Sequence, residues 1–161
     1  MVPRVTAVVV SQAQLATNSG AARITNNKSE DLIMVSFMKA YEDQTYALLR
    51  IVSGFLFLFH GSQKLLGFPP ADFEPPAHIL YIAGPIELIG GALIMIGLFT
   101  APLAFLASGL MAAGYWMAHF SADAWLPIMN RGDAAVLYCF IFLYIAAKGS
   151  GIWSVDAARS S

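Results

Sequence analysis

Residues Tyr46 to Phe68 read YALLRIVSGFLFLFHGSQKLLGF. The stretch is long enough to cross a bilayer, which takes about 20 apolar residues. Yet it carries Arg50, His60, Gln63 and Lys64. A charge at the centre of a spanning helix costs about 2.5–3.5 kcal/mol on insertion scales, so each needs a partner, water or a route to the interface. At about 100° per residue, Arg50, His60 and Lys64 fall within an arc of about 80°. One face of this helix is polar and must lie against protein. The stretch therefore predicts a membrane bundle with a polar interior.

The rest of the chain agrees. Its 161 residues are 58% hydrophobic and 12% charged, against about 25% charged in soluble domains. That composition describes an integral membrane protein of one compact domain in contact with the lipid bilayer. A net charge of −1 gives no basis for a nucleic-acid partner. Cys139 is the one cysteine, which excludes an intrachain disulfide and a cysteine metal cage; its apolar setting makes it a packing residue.

Upstream, residues 1–45 form a polar extension of small, patternless composition that reads as disordered. Its apolar run, Val5 to Val10, is shorter than the roughly 7–15 residues of a signal-peptide core. The acid-poor start with Arg4 and Arg23 also fits a transit peptide. Met34 and Met38 lie just before the membrane segment, and either is a candidate natural start.

Downstream, Gly67-Phe68-Pro69-Pro70 ends the first span, because two prolines stop a helix. A second span is expected over residues 78–99 and a third over 101–120, broken at Thr100-Ala101-Pro102, where proline suits a first turn. A fourth is expected over 133–153: residues 134–147 are free of charge, Lys148 can snorkel, and Gly149 to Trp153 continue the apolar segment. The expected fold is all-α, a four-helix transmembrane bundle with short loops over residues 46–156, followed by a tail at 157–161. Four spans put both termini on one side, with Arg4, Arg23, Lys28, Lys39, Lys148 and Arg159; Lys64 and Arg131 lie on the other. The positive-inside rule then places both termini in the cytoplasm, as for a bacterial inner-membrane protein. Tyr46, Trp116, Trp125 and Trp153 suit the two interfaces.

Helices in lipid associate through small residues and interhelical hydrogen bonds. On the second span Gly84, Gly90 and Gly91 share a face with Glu87; on the third, Ala101, Ala104, Ser108, Ala112, Tyr115 and His119 share one; on the fourth, Asp133, Leu137, Phe140 and Tyr144 do so. At about 1.5 Å per residue Glu87 lies mid-span, His60 and Tyr115 about 6 Å outward, and Lys64, His119 and Asp133 about 12 Å outward. One polar cluster of His60, Lys64, Glu87, Tyr115, His119 and Asp133 is expected, with Arg131 near it. Intramembrane ionisable groups are functional candidates, while buried ion pairs that fix helix register are the structural alternative. Pro85 has no N–H, so the backbone is expected to loosen at Tyr81, one turn outward of Glu87. No two histidines have metal-binding spacing on one helix, and no phosphate loop, CxxC or covalent cofactor motif occurs.

In order, LLRIVSGFLFLFHGSQKLLG, GPIELIGGALIMIGLFT and NRGDAAVLYCFIFLYIAAKGSGIWSVD resemble the DoxX family of small four-span membrane proteins. The matching positions are Arg50, Gly61 and Lys64; Glu87, Gly90, Gly91 and Gly97; then Asn130, Gly132, Asp133, Gly151, Trp153, Ser154 and Asp156. The resemblance implies a membrane partner of redox or oxidative-stress proteins, as the family is named for its likeness to a subunit of a thiosulfate:quinone oxidoreductase.

Two functional readings follow. In one, the chain is a redox-associated, quinone-linked membrane subunit: Glu87, His60 and Tyr115 exchange protons, and Phe55, Phe57, Phe59 and Trp116 line a slot for the ring. In the other it is a non-catalytic scaffold or anchor for a soluble oxidoreductase or stress-response partner; a small transporter is a third class. Homo-oligomerisation stays open. Two contacts are expected on depth: Glu87 with His60 ahead of Lys64, and a structural pair of Arg50 with Asp156 joining the first and last helices at one end.

Overall fold

The computed structural model describes residues 36–70, 76–77 and 79–160. The expectations for residues 1–35 and for the loop at 71–75 lie outside them. The chain divides into two units, Met1–Glu42 and Asp43–Ser161. Of the first, residues 36–39 form a helical turn. The second holds the bundle, built from α1 (Glu42–Leu66), α2 (Ile79–Ile96), α3 (Thr100–His119), α4 (Asp133–Lys148) and the short α5 (Val155–Ser160). No strand occurs among the described residues, which hold a single isolated bridge between Ser121 and Ala124.

Three of these helices, α1, α2 and α3, are long and apolar enough to cross a membrane. A fourth span is not shown, and the expected helix end at residue 153 is corrected: α4 has 16 residues and stops at Lys148. At 1.5 Å per residue it covers about 24 Å, less than a hydrocarbon core of about 30 Å. The segment read as its continuation turns away instead, because Gly149 and Gly151 take positive φ angles of 86° and 64°, a region open to glycine.

α1 and α2 meet backbone to backbone. A Cβ on Gly61 would lie 2.2 Å from the Leu88 nitrogen, and one on Gly91 would lie 2.6 Å from the Leu58 nitrogen. Contacts this close exclude any side chain and gain dispersion along both helices, the main source of association in lipid. Gly90, expected on the same face, is not in the contact: a Cβ there would meet a side chain of its own helix at 3.9 Å. α3 and α4 pack through Ala104, Ala107, Phe142 and Ile145, which join Tyr46, Phe57 and Ile94 in the core. Ser108 Oγ donates to the Cys139 carbonyl at 2.8 Å, tying the two helices where Cys139 packs. The outward face of α4 differs from expectation, since Leu137, Phe140 and Tyr144 are all exposed.

At one end of the bundle sits Arg50, fully buried. Its Nη1 donates to the carbonyls of Ile94 (2.9 Å) and Met95 (2.7 Å), in the last turn of α2. Its Nη2 donates to those of Ile152 (3.2 Å) and Trp153 (2.8 Å). One turn away, Tyr46 donates to the Gly149 carbonyl and holds Lys148 over its ring at 4.7 Å. The expected Arg50–Asp156 pair is replaced by two separate devices. Arg50 takes the helix C-terminal carbonyls, which carry partial negative charge. Asp156 caps α3: Oδ1 accepts from the Phe99 N–H, and Oδ2 from the Thr100 N–H and hydroxyl, all at 3.0–3.1 Å. The backbone N–H of Thr100 leads in holding the Asp156 carboxyl below its ordinary range; desolvation opposes it, and the Phe99 N–H and the Thr100 hydroxyl add to it.

Gly61→Ala should lower the thermal stability of the purified protein sharply, while Gly90→Ala should leave it nearly unchanged; equal melting temperatures for the two would contradict the α1–α2 contact described. A second expectation concerns acid. Because the folded Asp156 is more acidic than an unfolded aspartate of pKa about 3.9, its capping stabilises the fold above that value and is lost as pH falls through the lower folded pKa. Wild type minus Asp156→Asn stability, measured from pH 7 downward, should therefore shrink below about pH 4, and a constant difference would rule the cap out as its cause.

Candidate functional site

The close approach at Gly61 brings α1 against Leu88, so Lys64, one turn further along, reaches Glu87. The Lys64 Nζ to Glu87 Oε2 distance is 2.5 Å, with the side chains 12% and 4% exposed. Lys64 also donates to the His60 carbonyl at 3.4 Å. The expectation of His60 as the partner of Glu87 is corrected. Depth favoured His60, but the lysine stem spans the difference, and its ammonium gains more from a buried carboxylate than it would by snorkelling. His60 instead stands edge-on to the Tyr138 ring, with centroids 6.1 Å apart.

Beside the ion pair lies a cavity of 610 Å³, lined by residues of all four long helices. This is within the size range of small-molecule sites, about 300–1,000 Å³. Its polar wall is His60, Lys64, Glu87, His119, Arg131 and Tyr138; apolar residues including Phe57, Ile82, Leu110 and Met117 form the remainder. Several lining residues are exposed, Ile82 of α2 and Met117 of α3 at 60% and 74% among them, so the cavity is open at its rim.

The backbone is wound to make this space. Ile79–Ala83 and Ile86–Gly90 in α2, and Tyr115–His119 in α3, are π-helical, and each segment contributes to the lining. Pro85 sits between the first two. A proline cannot donate to the preceding turn and its ring crowds it, so a wider turn relieves both problems. The loosening expected near Tyr81 takes this form.

His119 Nδ1 lies 3.2 Å from the Asn130 carbonyl. A carbonyl only accepts, so Nδ1 carries the hydrogen and Nε2 of the neutral ring keeps its lone pair. Tyr115 is buried behind the wall rather than in it; its hydroxyl donates to the Trp125 carbonyl at 3.1 Å. Asp133 is exposed in the first turn of α4 and also does not line the cavity. Of the expected cluster the fold thus brings together His60, Lys64, Glu87 and His119, with Arg131, and leaves Tyr115 and Asp133 apart. Of the expected aromatic slot only Phe57 lines the cavity. Phe55 and Phe59 pack on each other at 4.9 Å, and Trp116 is exposed against Phe120. Tyr138 was not among the expected residues; its spacing from Phe142 and Ile145 marks the buried face of α4, a signal hidden in a helix that is apolar all round. Among the described residues no group of three His, Cys, Asp or Glu is placed to hold a metal ion.

A family model described as DoxX matches residues 45–120. An uncharacterized protein of Haemophilus influenzae is 36% identical over 128 residues, 74% of this chain and 93% of its own length. A Bacillus subtilis protein named "Putative oxidoreductase CatD" is 27% identical over 123 residues, 73% of this chain and 88% of its own. No solved structure matches the chain.

A double-mutant cycle on Lys64→Met and Glu87→Gln tests the ion pair. Breaking a buried pair by removing one partner costs about 3–5 kcal/mol, because the other charge is stranded. Each single variant should lose stability on that scale, and the double variant should recover part of it. Additive losses would mean that the two side chains do not interact.

Proposed function

The chain belongs to the DoxX family of membrane proteins, and from that premise we propose that it is a quinone-linked subunit of a membrane redox system. In this reading it sits in a bacterial inner membrane with both termini cytoplasmic, and electrons reach it from a separate redox protein. The supporting observation is the composition of the cavity wall: one buried ion pair, two imidazoles and a phenol around an apolar space that is open at its rim. A quinone ring is apolar, and each of its two oxygens needs a hydrogen-bond donor. The Lys64 ammonium has three hydrogens, of which Glu87 and the His60 carbonyl take two. The third is available to a ring oxygen, and the Tyr138 hydroxyl serves the other.

Reduction of a quinone takes two electrons and two protons, and quinol oxidation returns them. In quinol oxidation the Glu87 carboxylate and the His119 Nε2 lone pair take the two protons as the two electrons pass to the redox partner, and in the reverse direction they return them, while Tyr115 supports the wall from behind. An isoprenoid tail leaves through the open rim, past Ile82 and Met117. The printed name of the Bacillus subtilis relative is in keeping with an oxidoreductase association. The competing scaffold reading gives the ion pair a purely structural task.

Purification from native membranes, followed by organic extraction, separates the two. Quinone should accompany the wild-type protein and be lost from a folded Glu87→Gln variant. Extracts free of quinone, together with a soluble protein bound in fixed stoichiometry, would overturn the quinone reading in favour of the scaffold.

A further inference from the structure

The segment between α3 and α4, residues 121–132, reads SADAWLPIMNRG. It exposes Trp125 at 61%, Ile128 at 78% and Met129 at 56%, with Leu126 at 39%. In water such a run is unfavourable. We propose that this loop dips into the bilayer, with Trp125, Leu126, Ile128 and Met129 in the headgroup–acyl boundary, so that the lipid itself covers it.

Two independent observations carry this. The first is length. α3 has 20 residues and α4 has 16, a difference of about 6 Å at 1.5 Å per residue. The two helices pack side by side through Ala104, Ala107, Phe142 and Ile145, and both are tied in at the Arg50 end. The loop end of α4 therefore lies deeper than the loop end of α3, and the chain joining them has to descend.

The second is the backbone. Irregular backbone at membrane depth is tolerated where its polar groups are satisfied by protein. Seven carbonyls of this loop have protein donors, that of Gly132 accepting from the Val136 N–H of α4. Those of Ser121, Leu126 and Pro127 accept from the N–H groups of Ala124, Met129 and Gly132. Those of Ala124, Trp125 and Asn130 accept from the side chains of Asn130, Tyr115 and His119. The charged residues Asp123 and Arg131 lie on either side of the apolar run and mark its limits. Tryptophan suits this depth because its ring is apolar and its N–H reaches the headgroups.

The test reads Trp125 directly in the full-length protein reconstituted into phosphatidylcholine vesicles. In a Trp116→Phe/Trp153→Phe background, Trp125 is the one remaining indole. Its emission should be blue-shifted, strongly quenched by lipids brominated on the acyl chains, and insensitive to iodide. Red-shifted emission quenched by iodide and untouched by bromolipid would overturn the proposal. Should the double variant fail to fold, the difference between wild type and Trp125→Phe gives the same readout: Trp125→Phe should remove a bromolipid-quenched component, and removal of an iodide-quenched one would refute the dip. The result is independent of quinone, which need not be present.

Discussion

One guanidinium sets the register of the bundle. Arg50 is wholly buried, yet it spends four hydrogen bonds on four backbone carbonyls and none on a carboxylate. Those carbonyls belong to the end of α2 and to the turn after α4, where backbone acceptors are left over. A lone cation in the membrane is prohibitive, but one that satisfies orphan carbonyls removes two penalties together. Tyr46 acts on the same turn one helical turn away, and Asp156 then closes the ring by capping α3. All four long helices are thus pinned at one end by charge-assisted or capping hydrogen bonds that a shift of register would break.

With that end fixed, the other is free to be open. The α1–α2 glycine contact ends near Gly61, and just beyond it the Lys64–Glu87 pair takes over as the link between these helices. Elsewhere the helices part: α2 is widened on either side of Pro85, α3 is widened in its last turn, and α4 is short. The cavity lies where these departures from regular helix coincide. Wider π turns recur at functional sites because they trade backbone regularity for side-chain placement. Here the trade is made three times around one space, which is hard to explain by packing alone.

The sequence revealed the polar residues more readily than their neighbours. Charges in an apolar run are conspicuous, so Arg50, Lys64, His60 and Glu87 stood out, and helix rise placed the last three in one half of the bundle. Partner choice was less legible. Counting depth along a straight axis put His60 nearer Glu87, and the lysine stem could as well have snorkelled outward; the glycine that brings α1 in settles it inward. It also matched Arg50 to Asp156 by charge, whereas backbone carbonyls, which have no letter in a sequence, were the stronger acceptors. α4 was the hardest helix to orient. Its apolar residues cover every side, so no stripe distinguishes Tyr138, which faces the cavity, from Tyr144, which is exposed. Its end was misplaced because Gly149 to Trp153 read as a continuation of the apolar segment, while in the fold Gly149 and Gly151 take the positive φ angles at which the helix stops.

The shortness of α4 then connects the cavity to the membrane surface. A shorter helix needs a folded connection, and that connection is held by Asn130, whose side chain bonds the Ala124 carbonyl and the Tyr115 hydroxyl. The backbone carbonyl of the same residue fixes the proton of His119 on Nδ1. One residue therefore both folds the loop and sets which imidazole nitrogen is left to accept a proton. If the loop rests on lipid, the depth of the bilayer bears on the position of Asn130, and through it on the His119 ring in the cavity wall. The chemistry available in the cavity and the fit of the protein to its membrane then depend on the same short set of hydrogen bonds.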